Sequence, residues 1–303
     1  MLNVLITGAS GMLGATLAYE FKSSYNVYAT GNSGFTGQYS NYRRFDLKSE
    51  SYEELIEWSD PDVIIHSAAL TSGNYCEEHP NEAFDINGMS VQKFLASTKE
   101  DVKIIYISTD AVFPSSMHLA NEEHCVSPEN IYGKSKELGE FFLRTAVNRN
   151  YTIIRTTIVG LNLNAEKEGF VEWILNSSKN DKQFGLFTDV LFSPISIWHL
   201  AREIEFLINA NNINSEILHI AGELCNKYQF GIELLKSLNL PTKTLSKALI
   251  SSFEDRAKRS NDQSLDSAYY QKKYKRRLPT LDEIISTIKK HYEYNKIRKK
   301  NSR

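Results

Sequence analysis

Short apolar runs alternate with longer amphipathic stretches through the first half of the chain. The runs have the composition of buried parallel strands and fall at 3–9, 25–30, 62–69, 102–109 and 151–159. A short third strand is expected to end at Asp46 and Leu47. The intervening stretches have the apolar spacing of helices and fall at 15–21, 51–58, 80–97 and around 132–136. This alternation predicts an α/β protein built on a doubly wound parallel sheet.

The second half of the chain is less regular. Helical patterns are found at 169–177, 195–209, 228–238 and 281–290, and the stretch 187–194 suits a loop or a short strand. A last strand, at 216–221, is expected to return to the main sheet.

These patterns divide the chain into two predicted parts and a tail. The first domain is expected to span 1–158, with 190–222 returning to it. A smaller C-terminal α/β domain would be assembled from 159–189 and 223–295. The strongly basic end, 296–303, is expected to be a solvated, disordered tail.

Composition excludes several classes of function. The 303 residues carry a net charge of -2, which gives no electrostatic argument for nucleic acid or a membrane surface as a partner. No apolar run approaches the roughly 20 residues of a membrane span, and the N-terminus lacks the regions of a signal peptide. The three cysteines are far apart and match no metal spacing. We therefore expect a cytoplasmic protein with free thiols and no membrane insertion.

A glycine-rich turn follows the first strand. The stretch Gly8-Ala-Ser-Gly11-Met-Leu-Gly14 has the spacing G-x-x-G-x-x-G between a strand and a helix. In that position Gly8 permits a tight turn, Gly11 lets the backbone approach a pyrophosphate at the helix N-terminus, and Gly14 allows close helix–strand packing. The sequence therefore predicts a dinucleotide-binding Rossmann domain.

The end of the second strand bears on the choice of cofactor. An acid at this place usually binds the ribose 2′-hydroxyl of NAD, but the stretch here is Thr30-Gly-Asn-Ser33. Nothing repels a 2′-phosphate, and the side chains of Asn32 and Ser33 could bond one. Arg43 and Arg44 lie a little further on. We therefore favour NADP(H) over NAD(H), and we assign Asp46 either to the adenine amino group or to a helix cap.

Three polar residues suggest carbonyl chemistry. Tyr132 and Lys136 are four residues apart, which places both on one helix face. A positive charge beside a phenol favours the phenolate, so such a tyrosine could deliver a proton near neutral pH. Thr109 follows the fifth strand, at the sheet edge where ligands bind in open α/β sheets. By contrast, His66 lies inside the fourth apolar run and is interpreted as a packed histidine.

This combination resembles the extended short-chain dehydrogenase/reductase superfamily, and within it the dTDP-4-dehydrorhamnose reductases. The matches extend from residue 3 to about residue 285. Ser108-Thr-Asp-Ala-Val-Phe113 is similar to their S-T-D-Y-V-F, and Tyr132-Gly-Lys-Ser-Lys-Glu-Leu-Gly-Glu140 to their Y-G-x-S-K-x-x-G-E. Three further matches are Arg155-Thr-Thr-Ile-Val, Ser193-Pro-Ile and Arg259-Ser-Asn-Asp-Gln-Ser-Leu-Asp266.

The resemblance implies roles for individual residues. Thr109 would bond the substrate carbonyl and help to hold Tyr132, the general acid. Lys136 would bond the nicotinamide ribose and lower the pKa of Tyr132. Asn87 matches a helix asparagine that supports a proton relay in many relatives. Other cofactor contacts would come from Gly8, Ser10, Gly11, Met12 and Leu13 at the pyrophosphate, Ala68, Ala69 and Leu70 at the adenosine ribose, and Thr157 and Ile158 at the nicotinamide.

The implied reaction is hydride transfer from NAD(P)H to C4 of a nucleotide-linked 4-keto-6-deoxy sugar, a step of cell-surface polysaccharide or deoxysugar biosynthesis. Three departures from the family pattern bear on the identity of the substrate and on a metal site. Ala111 and Ile158 stand where the family has Tyr and Trp near the sugar, which is expected to enlarge or reshape that pocket. Ala15 replaces an acid that some relatives use with a metal at a dimer contact, so we predict no metal site and leave a homodimer open.

Other functions of the same fold stay open at this point. A 4,6-dehydratase would need a second acid after Asp110, where this chain has Ala111. An epimerase would keep its cofactor and rotate the keto sugar, and Ala111 does not exclude it. A non-catalytic NADP-binding regulatory subunit, similar to the accessory subunit of methionine adenosyltransferase, is the alternative of a different class.

Overall fold

The computed structural model describes residues 1–33, 39–164, 167–210, 215–252 and 260–301, with the backbone alone at 298–301. The strands are β1 (Asn3–Thr7), β2 (Asn26–Gly31), β3 (Asn41–Arg44), β4 (Val63–His66), β5 (Lys103–Ile107), β6 (Tyr151–Arg155), β7 (Thr157–Val159), β8 (Phe184–Phe187), β9 (Leu191–Phe192), β10 (Pro194–Ser196), β11 (Glu216–His219), β12 (Cys225–Asn226), β13 (Leu245–Ala248) and β14 (Asp262–Gln263).

The α-helices are α1 (Met12–Phe21), α2 (Tyr52–Ser59), α3 (Gly73–Glu78), α4 (Pro80–Phe84), α5 (Ser90–Ser97), α6 (Ile131–Thr145), α7 (Phe170–Lys179), α8 (Ile197–Asn209), α9 (Lys227–Ser237), α10 (Ala268–Tyr274) and α11 (Leu281–Asn301). A π-helical turn occupies Asp85–Met89, and short 3-10 turns occupy Asp110–Val112 and Ile250–Ser252.

Seven parallel strands form the central sheet, in the order β11-β6-β5-β4-β1-β2-β3. Side chains of β1 alternate between its two faces: Val4 and Ile6 pack in the cluster that contains α1 and α8, and Leu5 packs against α2 and α5. Both faces of the sheet are therefore covered, as the uninterrupted apolar runs require. The predicted doubly wound sheet and the return of the last strand to it are confirmed.

The sixth predicted strand, 151–159, is two strands. β6 ends at Arg155, and the Thr156 hydroxyl then donates a hydrogen bond to the Ile220 carbonyl (2.7 Å). The chain leaves the main sheet there, and β7 pairs with β10 in a separate two-stranded sheet. Thr157 and Ile158 therefore lie on a different sheet from β6, where both line the cavity described below.

The long helix predicted at 80–97 is interrupted in its middle. Asp85–Met89 form a π-helical turn, in which the Ser90 amide bonds the Asp85 carbonyl. A Cβ at Gly88 would lie 2.7 Å from the Leu138 side chain, so glycine at this position lets the turn approach α6 closely. Apolar spacing cannot reveal such a turn, because it adds a single residue to an otherwise helical pattern.

The remaining strands form two small sheets, β13 with β8 and β12-β9-β14. Their apolar side chains belong to the same core cluster as α1 and α8, and the domain boundaries given above stay a prediction. The expectation of a disordered tail is wrong for most of its length, because α11 continues to Asn301. No helix in the described part of the chain is long and apolar enough to cross a membrane.

Candidate active site

One cavity of about 730 Å³ lies at the carboxyl ends of β1, β2, β4 and β5. This is the place where the strand order reverses, and where ligands bind in open α/β sheets. Its wall contains most of the residues predicted to hold the cofactor or to act in catalysis: Gly8, Ser10, Gly11, Met12, Leu13, Asn32, Asp46, Leu47, Ala68, Ala69, Leu70, Thr109, Tyr132, Lys136, Thr157 and Ile158. Asn87 and Ser33 do not line it.

The glycine turn has the geometry expected of a dinucleotide site. Gly8 has φ +73°, a conformation that favours glycine, and a Cβ there would lie 2.7 Å from the Ala68 amide nitrogen. A Cβ at Gly14 would lie 2.3 Å from the Gly8 carbonyl oxygen, so α1 can approach β1 only because residue 14 has no side chain. The N-cap of α1 is Gly11, which provides no side-chain hydrogen bond, and the first turn of the helix lines the cavity, as anion binding requires.

The end of β2 has a cationic neighbour that sequence reasoning did not place there. Gly31 pairs with Arg44 of β3, and the Arg44 Nε donates to the Asn32 carbonyl (3.1 Å). Arg43 points elsewhere, because its guanidinium binds the Glu54 carboxylate (3.0 Å). The parallel pairing of β2 with β3 thus brings an arginine to the strand end from a position twelve residues further on.

Asp46 and Asn87 have local partners that modify their expected roles. Asp46 lies beyond the end of β3, and its carboxylate accepts from the Lys48 amide (3.0 Å) and the Ser49 hydroxyl (3.1 Å). It therefore stabilises a turn and also lines the cavity, but it is not a helix cap, because the N-cap of α2 is Ser51.

Asn87 is fully buried in the π-helical turn. Its amide group holds the Leu70 backbone, accepting from the amide nitrogen (2.8 Å) and donating to the carbonyl (3.0 Å), and it donates to the Ser135 hydroxyl (2.9 Å). The side chain thus joins the loop after β4 to α6 instead of contacting the cavity.

The helix that carries Tyr132 and Lys136 begins at the cavity. Asn130 caps α6 by accepting from the Gly133 amide (2.8 Å), so the first turn presents Tyr132 to the cavity and the second presents Lys136. Lys136 is only 1% exposed, and its Nζ has no hydrogen-bond partner among the described residues. A buried ammonium without a partner is a costly arrangement that a ligand hydroxyl would relieve.

The pKa shifts of this pair differ from the sequence expectation. Burial raises the pKa of Tyr132 above its ordinary value, a hydrogen bond between Tyr132 and Thr109 acts in the opposite direction, and Lys136 does not lower this pKa. The Lys136 ammonium lies instead over the Tyr106 ring, 3.9 Å from the centroid. Burial lowers the pKa of Lys136 itself to about 7, with Glu140 acting in the opposite direction. At neutral pH Tyr132 therefore remains a protonated donor.

Asp110 is a buried acid beside Thr109 that also lines the cavity. Its carboxylate accepts from the Thr109 hydroxyl (2.8 Å) and from the Thr157 hydroxyl. Burial raises its pKa, against the effect of these two hydrogen bonds. Asp110 therefore orients Thr109 and connects it to Thr157 at the start of β7.

Behind the cavity lies an ion pair that the sequence did not reveal as such. Arg155 and Glu140, at 2% and 0% exposed, are joined by bonds of 2.6, 3.0 and 3.2 Å. Glu140 also accepts from the Ser108 hydroxyl (2.6 Å). The pair fixes α6 against β5 and β6. Both residues belong to motifs of the family resemblance, but their pairing depends on contact between distant elements.

The two departures near the sugar position differ in placement. Ile158 lines the cavity, whereas Ala111 is buried beside it and its carbonyl lies against Gly133. The cavity wall also includes Asn162, Lys167, Glu168 and Gly169, which the sequence did not predict. Gly169 lies near the glycine turn, since a Cβ there would be 4.0 Å from the Met12 sulfur. His66 is a packed histidine as predicted, bonded to the Thr7 and Ser90 hydroxyls at 2.8 Å each. Arg259 of the C-terminal motif lies outside the described residues.

The fold and the site define an extended short-chain dehydrogenase/reductase. The defining features are the parallel sheet, the glycine turn and the group of Thr109, Tyr132 and Lys136. The family model described as the RmlD substrate binding domain matches residues 2–293. The chain belongs to this family, which confirms the resemblance drawn from the sequence.

Two relatives and one solved structure illustrate the similarity. The spore coat polysaccharide biosynthesis protein SpsK of Bacillus subtilis (strain 168) is 31% identical over 250 residues, covering 81% of this chain and 83% of that protein. The dTDP-4-dehydrorhamnose reductase of Aggregatibacter actinomycetemcomitans is 28% identical over 244 residues, covering 77% and 78%. The crystal structure of dTDP-4-dehydrorhamnose reductase from Bacillus anthracis str. Ames in complex with NADP has a TM-score of 0.84, covering 95% of this chain and 98% of that chain at 24% identity, a likeness of fold.

Proposed function

We propose that the protein is an NADPH-dependent reductase that converts the C4 keto group of a nucleotide-activated 4-keto-6-deoxy sugar to an alcohol, in the biosynthesis of cell-surface polysaccharide. The observation that carries the proposal is the joint placement of Thr109, Tyr132 and Lys136 in one cavity with the glycine turn. The names of the relatives support the same class of substrate.

The residues present suit a nicotinamide dinucleotide. The glycine turn leaves room for a pyrophosphate at the N-terminus of α1, and the unpartnered Lys136 Nζ is suited to the ribose hydroxyls. The cofactor, when bound, supplies the hydride. Ala68, Ala69 and Leu70 would line the adenosine side, held in place by Asn87.

The chain's own contribution is to orient the carbonyl and to supply a proton. Tyr132 is protonated at neutral pH and lies in the cavity, so it can give its proton to the carbonyl oxygen. Thr109, fixed by Asp110, contacts the phenol and positions the same oxygen. Asn162, Lys167, Glu168 and Gly169 also line the cavity and would border the substrate or the cofactor.

Arg44 supports NADPH as the preferred cofactor. Its guanidinium lies at the end of β2, where there is no acid to bind a 2′-hydroxyl. A charge-assisted hydrogen bond to phosphate contributes about 1.5–3 kcal/mol, and Arg44 is exposed, so the lower value applies. Arg44→Gln should therefore weaken NADPH binding about tenfold and leave NADH binding unchanged. Arg43→Gln is the matched control, and equal losses for both cofactors would contradict the assignment.

The central experiment offers NADPH and a panel of nucleotide 4-keto-6-deoxy sugars and follows the loss of NADPH absorbance. We expect turnover with at least one sugar, and Tyr132→Phe should bind NADPH as the wild type does but lose at least about a hundredfold in turnover. Tight NADPH binding without turnover across the panel would favour a regulatory subunit. Retention of cofactor through purification, with no consumption of added NADPH, would favour an epimerase.

A further inference from the structure

The ammonium of Lys136 lies against the face of an aromatic ring. Its Nζ is 3.9 Å from the centroid of the Tyr106 ring, and both side chains are fully buried. No described residue accepts a hydrogen bond from this nitrogen. A buried ammonium without a carboxylate or carbonyl partner needs another source of stabilisation, and the negative face of an aromatic ring supplies one.

Tyr106 itself is held from several sides. Its hydroxyl donates to the Asn87 carbonyl (2.8 Å) and approaches the Lys136 carbonyl (3.3 Å). The ring stacks on His66, with centroids 5.7 Å apart and planes at 22°. A Cβ at Gly139 would lie 2.5 Å from the hydroxyl, so α6 reaches this ring only because residue 139 is glycine. The ring therefore cannot turn its face away from Lys136.

The hydrogen bond from Tyr106 occupies the backbone carbonyl of Asn87. The resemblance implies that this asparagine supports a proton relay, but its carbonyl is bonded to the Tyr106 hydroxyl. The connection between the π-helical turn and Lys136 thus runs through Tyr106. Tyr106 fills the space between the two elements and presents its face to the ammonium.

We propose that Tyr106 is a positioning residue that keeps the Lys136 ammonium charged and directed toward the place of the cofactor's nicotinamide ribose. This inference rests on the proposed function for the identity of the ligand. It adds to that function a residue outside the cavity wall that determines when Lys136 can bind hydroxyls.

Other titratable groups around Lys136 act in known directions. Glu140, on the same helix and paired with Arg155 of β6, raises the pKa of Lys136, while burial lowers it. His66 of β4 has its pKa lowered to about 3 by burial and by Lys136, so it is neutral at any working pH. Tyr132 and Asp110 face the cavity, and burial raises the pKa of both. Without the face of the Tyr106 ring, the effect of burial would be less opposed, and the pKa of Lys136 would fall further.

The direct test is the titration of Lys136 in the cofactor-free protein. The carbon-13 shift of its ε-methylene group is followed against pH and assigned with Lys136→Met. Tyr106→Phe keeps the ring and should titrate as the wild type. Tyr106→Met fills the space without a ring face and should titrate about one pH unit lower. Replacement of Tyr106 by ring-fluorinated phenylalanine preserves shape, weakens the face and should shift the titration in the same direction, even if the Met variant does not fold.

NADPH binding, measured by cofactor fluorescence, gives the second readout. At high pH the affinity should fall about tenfold per pH unit. The pH at which this fall begins should shift in each variant by the same amount as the titration of Lys136. Equal titration in Phe, fluorinated and Met variants, or a shift in Tyr106→Phe as large as in Tyr106→Met, would overturn the inference. Failure of the wild type to bind NADPH would overturn the proposed function instead, because the titration of Lys136 is measured without cofactor.

Discussion

The buried Glu140–Arg155 pair allows a quantitative prediction about stability. Glu140→Gln keeps the shape of the side chain and an acceptor for the Ser108 hydroxyl, but it removes the negative charge opposite Arg155. The guanidinium then remains 2% exposed, and the His219 ring nitrogen lies 3.4 Å from it. Burial lowers the pKa of His219 to about 3, so this histidine is neutral and cannot replace the carboxylate.

The magnitude follows from the burial of the pair. Removal of one partner from a buried ion pair costs about 3–5 kcal/mol, because the other charge is left uncompensated. With about 2–4 °C of melting temperature per kcal/mol for domains of this size class, the expected fall is roughly 10 °C. The charge of Glu140 also raises the pKa of Lys136. In Glu140→Gln this effect is lost, so NADPH binding should weaken at a lower pH than in the wild type.

The assay is thermal and urea unfolding of the two matched variants Glu140→Gln and Glu137→Gln. Glu137 lies on the same helix and also pairs with an arginine, Arg144, at 3.0 Å, but the two side chains are 28% and 37% exposed. A solvated pair of that kind contributes about 0–1 kcal/mol, so the control should melt close to the wild type. The double variant Glu140→Leu with Arg155→Met should recover stability, because no charge is left unpaired.

Two results would refute this reasoning. Equal destabilisation by Glu140→Gln and Glu137→Gln would mean that burial does not determine the cost. A double variant less stable than Glu140→Gln would mean that the pair itself, more than the unpaired charge, stabilises the fold.

Three further predictions concern the cavity. Gly14→Ala should abolish measurable NADPH binding and lower stability by about 1–3 kcal/mol, since its Cβ would meet the Gly8 carbonyl at 2.3 Å; unaltered binding by fluorescence titration would contradict this. Asn87→Ala should lower the free energy of unfolding in urea by about 1–3 kcal/mol and weaken NADPH binding, because the Leu70 backbone loses its hydrogen-bond partners. Loss of stability with unchanged NADPH affinity would contradict the predicted effect on binding. Because the ammonium form of Lys136 is lost as pH rises through its pKa of about 7, the dissociation constant of NADPH should be lowest below that pH and rise above it, whereas a flat profile from about pH 6 to about pH 9 would contradict the role of Lys136.

Much of the site was predictable because its residues act through local features. The glycine turn combines spacing with its position after a strand, and Tyr132 and Lys136 share a helix face. Apolar runs located the strands of the main sheet, since a strand buried on both faces has few polar residues. The break at Thr156 escaped detection because 151–159 is a continuous run of strand-forming residues, and only the pairing of its second half with β10 shows that there are two strands.

The sequence alone thus determined the order of the main elements, the glycine turn and the helix that carries Tyr132 and Lys136, because each depends on neighbours within a few residues. The tertiary structure decided which distant side chains meet. The register of β2 with β3 brings Arg44 beside the end of β2, and the packing of α6 on β5 places the Lys136 ammonium over the Tyr106 ring. Periodicity specifies which face of an element is buried, but it carries no information about the partner across the interface.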